Sequence, residues 1–529
     1  MEPLRQKLPV DISSFEKMRT EGYLYVDKTQ HIYRMVTEGT FYFLSRPRRF
    51  GKSLLVSTLE CLFQGRRDLF EGLWIAEQRD WDWQPHPVIF LDFNEIPGSS
   101  SEALREGLAF RLHQIADEFE VTLKAPGIEI FFLQLITSLY KKTGYPVVIV
   151  IDEYDKRIIE HLGKGQEHLE IAKGNRDVLK TFFGILKGQS ISDKLRLVFL
   201  TGVSRFSKVS LFSDLNNLRD ISMVESYVEM LGYTQTELED VFAEQIENFA
   251  QKLGRTTAQV LETLAQKYNG YRFCDAPVRV YNPFSVLNAF NDLEFRDYWF
   301  ESATPSFLVN LLRQEDYNLP QIEGLEVSRT IFTNFELENL WPEALLYQTG
   351  YLTIQNVQQG IYTLNYPNQE VKHAFTEALL LGLTARRSPA ISSQVLKLPR
   401  YLRQEDFSEF FETMQTIFAS IPYDIESQRD EAYFHTIFYL MMSASGMVEV
   451  QSSVLTSKGR IDLVVQFPEK IYIIEFKCNQ SADAALRQIH EKHYTDKYRG
   501  SGKKIFLMGI NFHQEQRNLE EWKVIPDQP

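Results

Sequence analysis

Two hydrophobic periods alternate along this chain, and the points where one gives way to the other mark its elements. Short and nearly continuous apolar runs stand at 41–44, 87–94, 146–151 and 195–206. Runs of that length, rich in Val, Ile and Phe, predict strands buried on both faces of a parallel sheet. Between them, apolar residues recur at helical spacing around 101–120, 128–142 and 173–188. Strand and helix in alternation predict an α/β domain.

Beyond residue 220 the pattern becomes mostly helical. The segment SMVESYVEMLGYTQTELEDVF (222–242) predicts a last strand and then a helix, with Thr234 and Glu237 as a capping box. Helices follow to about Lys267. In VYNPFSVLNAF (280–290) Asn282 is placed to cap and Pro283 to occupy the first helical position. Residues 343–375 predict a helix, a hairpin and a second helix, a winged-helix-like pattern too poor in basic residues for DNA contact and better suited to packing or to a lid. RRSPAISSQVLKLPRYL (386–402) carries small residues and two prolines and predicts an interdomain boundary. The last stretch predicts a helix over 431–446 stopped by Gly446, a hairpin over 459–477 turning at Pro468-Glu469-Lys470, and a helix over 482–500. These elements divide into domains at 1–232, 233–390 and 400–529.

Composition fits this picture. With 529 residues, 44% hydrophobic and 24% charged, the chain has material for several cores, and 38 Phe with 25 Tyr exclude disorder. The formal charge of −14 does not suit a protein that coats nucleic acid. Residues 431–529 hold 12 Lys+Arg and 12 Asp+Glu, so residues 1–430 carry the whole excess. Any nucleic-acid contact is then local. Three dispersed cysteines, Cys61, Cys274 and Cys478, give neither a disulfide framework nor a zinc motif and suit a reducing compartment. No apolar run is long enough to span a bilayer, and the expected location is the cytoplasm.

Two constellations carry chemistry. In the C-terminal hairpin, Asp462, Glu475 and Lys477 interrupt apolar strands, and Glu475 and Lys477 share a face. An unpaired carboxylate or ammonium buried there is costly. A cross-strand ion pair is the plain reading. In the functional one, Asp462 and Glu475 grip Mg²⁺ or Mn²⁺ and Lys477 stabilises charge on a phosphate. Upstream, Glu431 in the first turn of its helix is a candidate for metal or water positioning. Downstream, Lys492, Lys497, Arg499, Lys503 and Lys504 are placed to meet phosphates or simply to be solvated.

The second constellation is FYFLSRPRRFGKSLLVSTLECLF (41–63): strand, tight loop, helix. Gly51-Lys52-Ser53 has the P-loop layout, in which Lys52 reaches the β- and γ-phosphates of ATP and Ser53 ligates magnesium. Arg46, Arg48, Arg49, Phe50 and Leu54 complete the candidate nucleotide loop, although Arg46 stands where the general motif has Gly. PVVIVIDEYDK (146–156) supplies the matching acids. Asp152 is the candidate magnesium ligand and Glu153 the residue that polarises water. The strand ending at Thr201 is placed to sense the γ-phosphate through Thr201 or Ser204, with Arg205 as a candidate phosphate or subunit-interface arginine.

The hairpin resembles the PD-(D/E)XK nuclease core, which implies a role for Gln488 on the following helix. The order of strands along the chain is that of additional-strand catalytic-glutamate ATPases. YLYVDKTQHIYRM, FLSRPRRFGKSLLVSTLECLF, VIVIDEYDK, FLTGVSRFSKVSLFSDLNNL and YNGYRF are together similar to the AAA-ATPase-like proteins with a C-terminal PD-(D/E)XK domain. In that family the loop reads Arg-Pro-Arg-Arg-Phe-Gly-Lys-Ser, so Arg46 fits. The resemblance implies an α/β P-loop ATPase with a parallel sheet, a helical and winged-helix-like connector and a restriction-endonuclease-like α/β domain. It also implies that Asp27 and Lys28 lie near the nucleotide, and a part in defence against mobile DNA or its maintenance. The expected partners are a nucleotide, DNA (with RNA open) and a second copy of the chain, with no membrane. Two other readings stay open: a regulatory ATPase whose nuclease-like domain only binds, and a nucleotide-driven scaffold.

Overall fold

Val147–Asp152 is buried at every position and forms the inner strand that the apolar run predicts. The computed structural model describes residues 7–124, 127–205, 217–301, 306–314, 319–332, 337, 341–383, 389–421, 431–446 and 448–527. Cα packing divides the chain into two units, Met1–Trp299 with Val327–Tyr362, and Phe300–Glu326 with Thr363–Pro529. This grouping is discontinuous and differs from the three consecutive domains drawn from the sequence.

In the first unit, β1 (Phe41–Ser45), β2 (Val88–Asp92), β3 (Val147–Asp152), β4 (Leu195–Gly202) and the two-residue β5 (Arg219–Asp220) form one sheet. Its order is β2-β3-β4-β1-β5, and every neighbouring pair is parallel. β4 therefore lies between the loop strand β1 and the acid-bearing strand β3, which makes it the additional strand. Helices Ser101–Glu118 and Ile128–Thr143 stand where the spacing places them, while the third, Gln166–Gly184, begins and ends earlier than the expected 173–188.

The segment 222–230 departs from expectation. Glu225–Met230 is a 3₁₀ turn that buries Tyr227, Val228 and Met230, and the last strand is β5 before it. An apolar cluster this short satisfies a buried turn as well as a strand. The capping box of Thr234 and Glu237 is present, and so are the Asn282 cap and Pro283 at the first helical position.

Leu238, Phe249, Leu264 and Phe290 from the helices after residue 234 share a core with Leu24 and Val26 from the N-terminal segment. That non-local packing is why these helices join the first unit. The chain then runs through β6 (Leu325–Ser328), helix Pro342–Thr349, β7 (Thr353–Gln358), β8 (Ile361–Asn365) and helix Gln369–Leu383, the order predicted for 343–375.

The second unit contains β9 (Glu449–Thr456), β10 (Gly459–Gln466), β11 (Lys470–Cys478), β12 (Lys504–His513) and β13 (Asn518–Pro526) in the order β13-β12-β11-β10-β9. The pair β11–β12 is parallel and the others are antiparallel. Helix Ala482–Glu491 makes the crossover between the parallel strands. It is shorter than expected, because His493 adopts φ 48° and a 3₁₀ turn, Tyr494–Lys497, follows. Among the described residues no helix is long and apolar enough to cross a membrane.

Candidate active sites

The first site is built at the carboxyl end of β1. Gly51 precedes helix Lys52–Phe63 with φ 91°, a backbone conformation that side-chain-bearing residues avoid. Lys52 follows at once and is only 4% exposed. Its ammonium donates to the carbonyls of Arg46 and Pro47 at 3.2 Å each and stands 3.4 Å from Glu153. Glu153 itself has φ 52°. Burial opposes its charge, but Lys52 and Arg48 outweigh it and hold the carboxyl below its usual range.

Asp152 is buried beside Ser53, whose hydroxyl bonds to it, and burial with the nearby Glu153 pushes its carboxyl up to about 6. Acidic oxygens facing a helix N-terminus across a hydroxyl make a donor set that suits a hard cation. From the intervening strand, the Thr201 hydroxyl donates 2.7 Å to the Leu44 carbonyl of β1. Thr201 thus couples the two strands, with its hydroxyl already engaged.

Two arginines lie elsewhere than the sequence suggested. Arg46 is buried beneath the loop, donating to the carbonyls of Ser45 at 2.9 Å and Ser222 at 2.8 Å, with its guanidinium 4.2 Å from the Phe273 ring. A guanidinium lodged among backbone carbonyls positions the loop. Arg205 is likewise buried, pairing with Asp220 at 3.6 Å and donating to the Phe332 carbonyl at 3.0 Å. It is therefore not a surface arginine available to a second subunit. The neighbouring segment 206–216, part of the family resemblance, lies outside the described residues.

The remaining loop residues divide the work. Arg48 is exposed, and its carbonyl accepts from the Trp299 indole at 3.1 Å. Arg49, at φ 67°, pairs with Asp11 at 3.3 Å. Phe50 is buried edge-on to Tyr271 at 4.8 Å, and Leu54 is half-buried on the helix. A Cβ at Gly350 would stand 2.7 Å from Pro47, so the corner after helix Pro342–Thr349 closes directly on the loop. Asp27 accepts from Thr29 and Trp74, and Lys28 pairs with Glu237. The bonds of both residues tie the N-terminal segment to its neighbours.

Sequence reasoning missed Asp155. It is fully buried, and burial together with Glu153 pushes its carboxyl up to about 6. It accepts from the Ser204 hydroxyl and N–H, both at 2.6 Å, and from the Val203 N–H at 3.1 Å. A Cβ at Gly202 would come 2.4 Å from its Oδ1, so glycine there is what admits the carboxylate. The second half of IDEYDK thus fixes the loop that leaves β4.

The second site sits where β10 and β11 part. Their ladder runs from Gln466↔Ile471 to Leu463↔Ile474, and beyond it the Asp462 carboxylate accepts from the Phe476 N–H at 2.9 Å. Ile461 and Val464 belong to one core cluster, although strict alternation would put them on opposite faces. The β10–β11 register carried one step further sets Asp462 directly opposite Glu475, where cross-strand neighbours share a face.

Glu475 is 1% exposed. Gln488 donates to its Oε1, while its Oε2 is buried without a hydrogen-bond partner among the described residues. Burial and the adjacent Asp462 charge push the Glu475 carboxyl far above the usual carboxylate range. Lys477 stands 3.7 Å away on the same face and donates to the Phe476 carbonyl at 2.7 Å. Gln488 reaches Glu475 for a reason the sequence hides. Gly509 is the parallel partner of Glu475, and a Cβ there would meet the Ala482 carbonyl at 2.3 Å. The missing side chain lets helix Ala482–Glu491 lie close on the sheet.

Glu431 opens helix Glu431–Ser443. Among the described residues no group of three or more His, Cys, Asp or Glu side chains is arranged to hold a metal, so Glu431 does not join Asp462 and Glu475 in such a cluster. One turn after Glu431, His435 packs 5.2 Å from the Phe476 ring with its Nε2 buried and unpartnered among the described residues. Burial lowers the His435 pKa, and Asp462 partly offsets this. Tyr494 is buried beside Gln488 and donates 2.8 Å to the Arg460 carbonyl. His435 was not singled out from the sequence, where it lies in a greasy helix, and Tyr494 was expected on the helix over 482–500, which ends before it.

Residues 9–212 match the model of the predicted AAA-ATPase family, and residues 429–522 match that of the PD-(D/E)XK nuclease superfamily. Along nearly its whole length the chain is similar to an uncharacterized protein from the vnfD 5′ region of Azotobacter chroococcum mcd 1, with 38% identity over 534 residues, 97% of this chain and 98% of that protein. A sheet with the additional strand between the P-loop and its acids, followed by a nuclease-like hairpin with Asp462, Glu475 and Lys477, identifies the chain as a member of the AAA-ATPase-like family that carries a C-terminal PD-(D/E)XK domain.

Proposed function

We propose that this protein binds and hydrolyses ATP at the Lys52 loop and cleaves phosphodiester bonds of nucleic acid, DNA above all, at the Asp462–Glu475 site, the first reaction governing the second. The observation that carries the second half is the buried Glu475 Oε2, which lacks a partner among the described residues and faces a second carboxylate. Two acids so placed repel each other until a cation or proton comes between them. Asp462 and Glu475 fit Mg²⁺ or Mn²⁺, and Ser53 with Asp152 fits Mg²⁺. A bound divalent ion supplies charge neutralisation at phosphate and an acidified water.

The chain's own residues do the rest. Lys52 exchanges its carbonyl partners for phosphate oxygens, and Glu153, released from Lys52, orients the attacking water. At the second site Gln488 holds one Glu475 oxygen, and Lys477 stabilises charge that develops on the phosphate. The corner at Gly350, seated on Pro47, supports a lid role for the helix–hairpin element. The family resemblance supports a setting of defence against mobile DNA or its maintenance, and the free cysteines suit the cytoplasm.

One observation favours a binding-only second site, namely that among the described residues no third His, Cys, Asp or Glu side chain is arranged with Asp462 and Glu475 to hold a metal. Incubation of the purified protein with plasmid, single-stranded DNA and RNA, with and without ATP and Mn²⁺, decides between the readings. Cleavage by the wild type and its loss in Asp462→Ala support a nuclease. Retention without cleavage supports a switch. Mass measurement with and without ATP tests the proposed homo-oligomer.

A further inference from the structure

β9 ends, just before its turn into β10, with Leu455 and Thr456, and Leu455 with Phe110 is the most exposed large apolar side chain among the described residues, at 66%. The tip is well tied. Thr456 Oγ1 donates to the Gly459 carbonyl at 2.9 Å and accepts from the N–H groups of Lys458 and Gly459 at 3.3 and 3.1 Å. Leu455 pairs across the hairpin with Arg460, so the two share a face. Arg460 is also two residues before Asp462 in the same strand, β10.

Three more cations gather around this leucine. Lys458 is exposed at the turn. Lys492 lies one helical turn past Gln488, and its Cδ is 3.7 Å from where a Gly459 Cβ would stand. Lys497 donates 3.2 Å to the Leu455 carbonyl. Among the described residues none of Lys458, Arg460, Lys492 and Lys497 has a carboxylate partner, whereas nearby Arg499 pairs with Asp496. In a segment of zero net charge, four unpaired cations around one exposed apolar side chain fit a polyanion that also carries apolar faces.

We propose that this hairpin tip is the nucleic-acid docking element of the second unit. Lys458, Arg460, Lys492 and Lys497 grip phosphates, and Leu455 presses on a nucleobase at an opened step, leading the strand to Asp462. The proposal rests on the phosphodiesterase reading above and adds where and how the substrate is held. Phosphate contacts give salt-dependent affinity, whereas an apolar wedge gives preference for unstacked steps.

The test uses the full chain in EDTA, with fluorescence anisotropy on labelled perfect duplex DNA, nicked duplex DNA, and an RNA duplex, across a salt series. In Lys458→Ala/Arg460→Ala the slope of log affinity against log salt is expected to fall by about two. Arg460→Lys restores its share. Leu455→Ala is expected to keep the slope and lose the preference for the nicked duplex. An unchanged slope in the double variant, or an unchanged preference in Leu455→Ala, overturns the assignment. Hydrolysis of bis(p-nitrophenyl) phosphate by the wild type with Mn²⁺ separates the two claims. Its absence sinks the phosphodiesterase reading, while the anisotropy still judges the docking tip.

Discussion

Lys52 and Glu153 stand 3.4 Å apart at the mouth of the P-loop, so the lysine expected to bind phosphate is held by the acid expected to orient water. Removing one partner leaves the other charge buried. Lys52→Ala is therefore expected to lose ATP-dependent thermal stabilisation and also about 3–5 kcal/mol of basal stability. Glu153→Gln should keep the stabilisation and slow hydrolysis by about 10²-fold or more. Thermal shift and phosphate release check both. Full hydrolysis by Glu153→Gln would move the catalytic role elsewhere.

Arg205 and Asp220 give a different expectation from that of an exposed arginine finger. Because the pair is buried, Arg205→Ala should lower stability by about 3–5 kcal/mol. Urea unfolding measures this. A stable variant that lacks only ATPase activity would restore the finger.

Asp155 has a folded pKa of about 6 against an ordinary 3.8, so the folded state binds the proton more tightly. Its contribution to stability is fully present below pH 3.8 and is lost as pH rises through 6, amounting to about 3 kcal/mol at most. In Asp155→Asn that decline between pH 4 and 6.5 should disappear. Melting temperatures over this range test the sign, and an identical pH profile in the variant would refute it.

Much of this architecture is legible in the chain. The strands β1 to β4 announce themselves because a strand buried on both faces has to be apolar throughout, and Lys52, Asp152 and Glu153 mark the ends of two of them. Asp462, Glu475 and Lys477 are conspicuous for the converse reason, as charges in strands that otherwise reject them. What stays hidden depends on contacts distant in sequence. Arg46 and Arg205 look like surface cations until carbonyls and Asp220 close around them. Gly509 gains its meaning only as the neighbour of Glu475, and the helices after residue 234 join the first unit through Leu24 and Val26. His493, in a left-handed conformation, ends a helix whose apolar spacing runs on.

Burial and Asp462 keep the Glu475 carboxyl from ionising in the folded state, which costs stability at neutral pH; Glu475→Gln removes that cost, so the variant should melt above the wild type in EDTA at pH 7. Added Mn²⁺ should raise the melting temperature of the wild type and leave the variant unmoved. Equal stabilisation of both by Mn²⁺ would place the ion elsewhere.

The most direct measurement is Mn²⁺-dependent plasmid cleavage by wild type and Glu475→Gln, with ATP hydrolysis followed in the same samples. The wild type is expected to cut, and the variant to hydrolyse ATP at the wild-type rate while cutting at least about 10²-fold more slowly. Cleavage by Glu475→Gln at the wild-type rate would contradict a phosphodiesterase centre at Asp462 and Glu475.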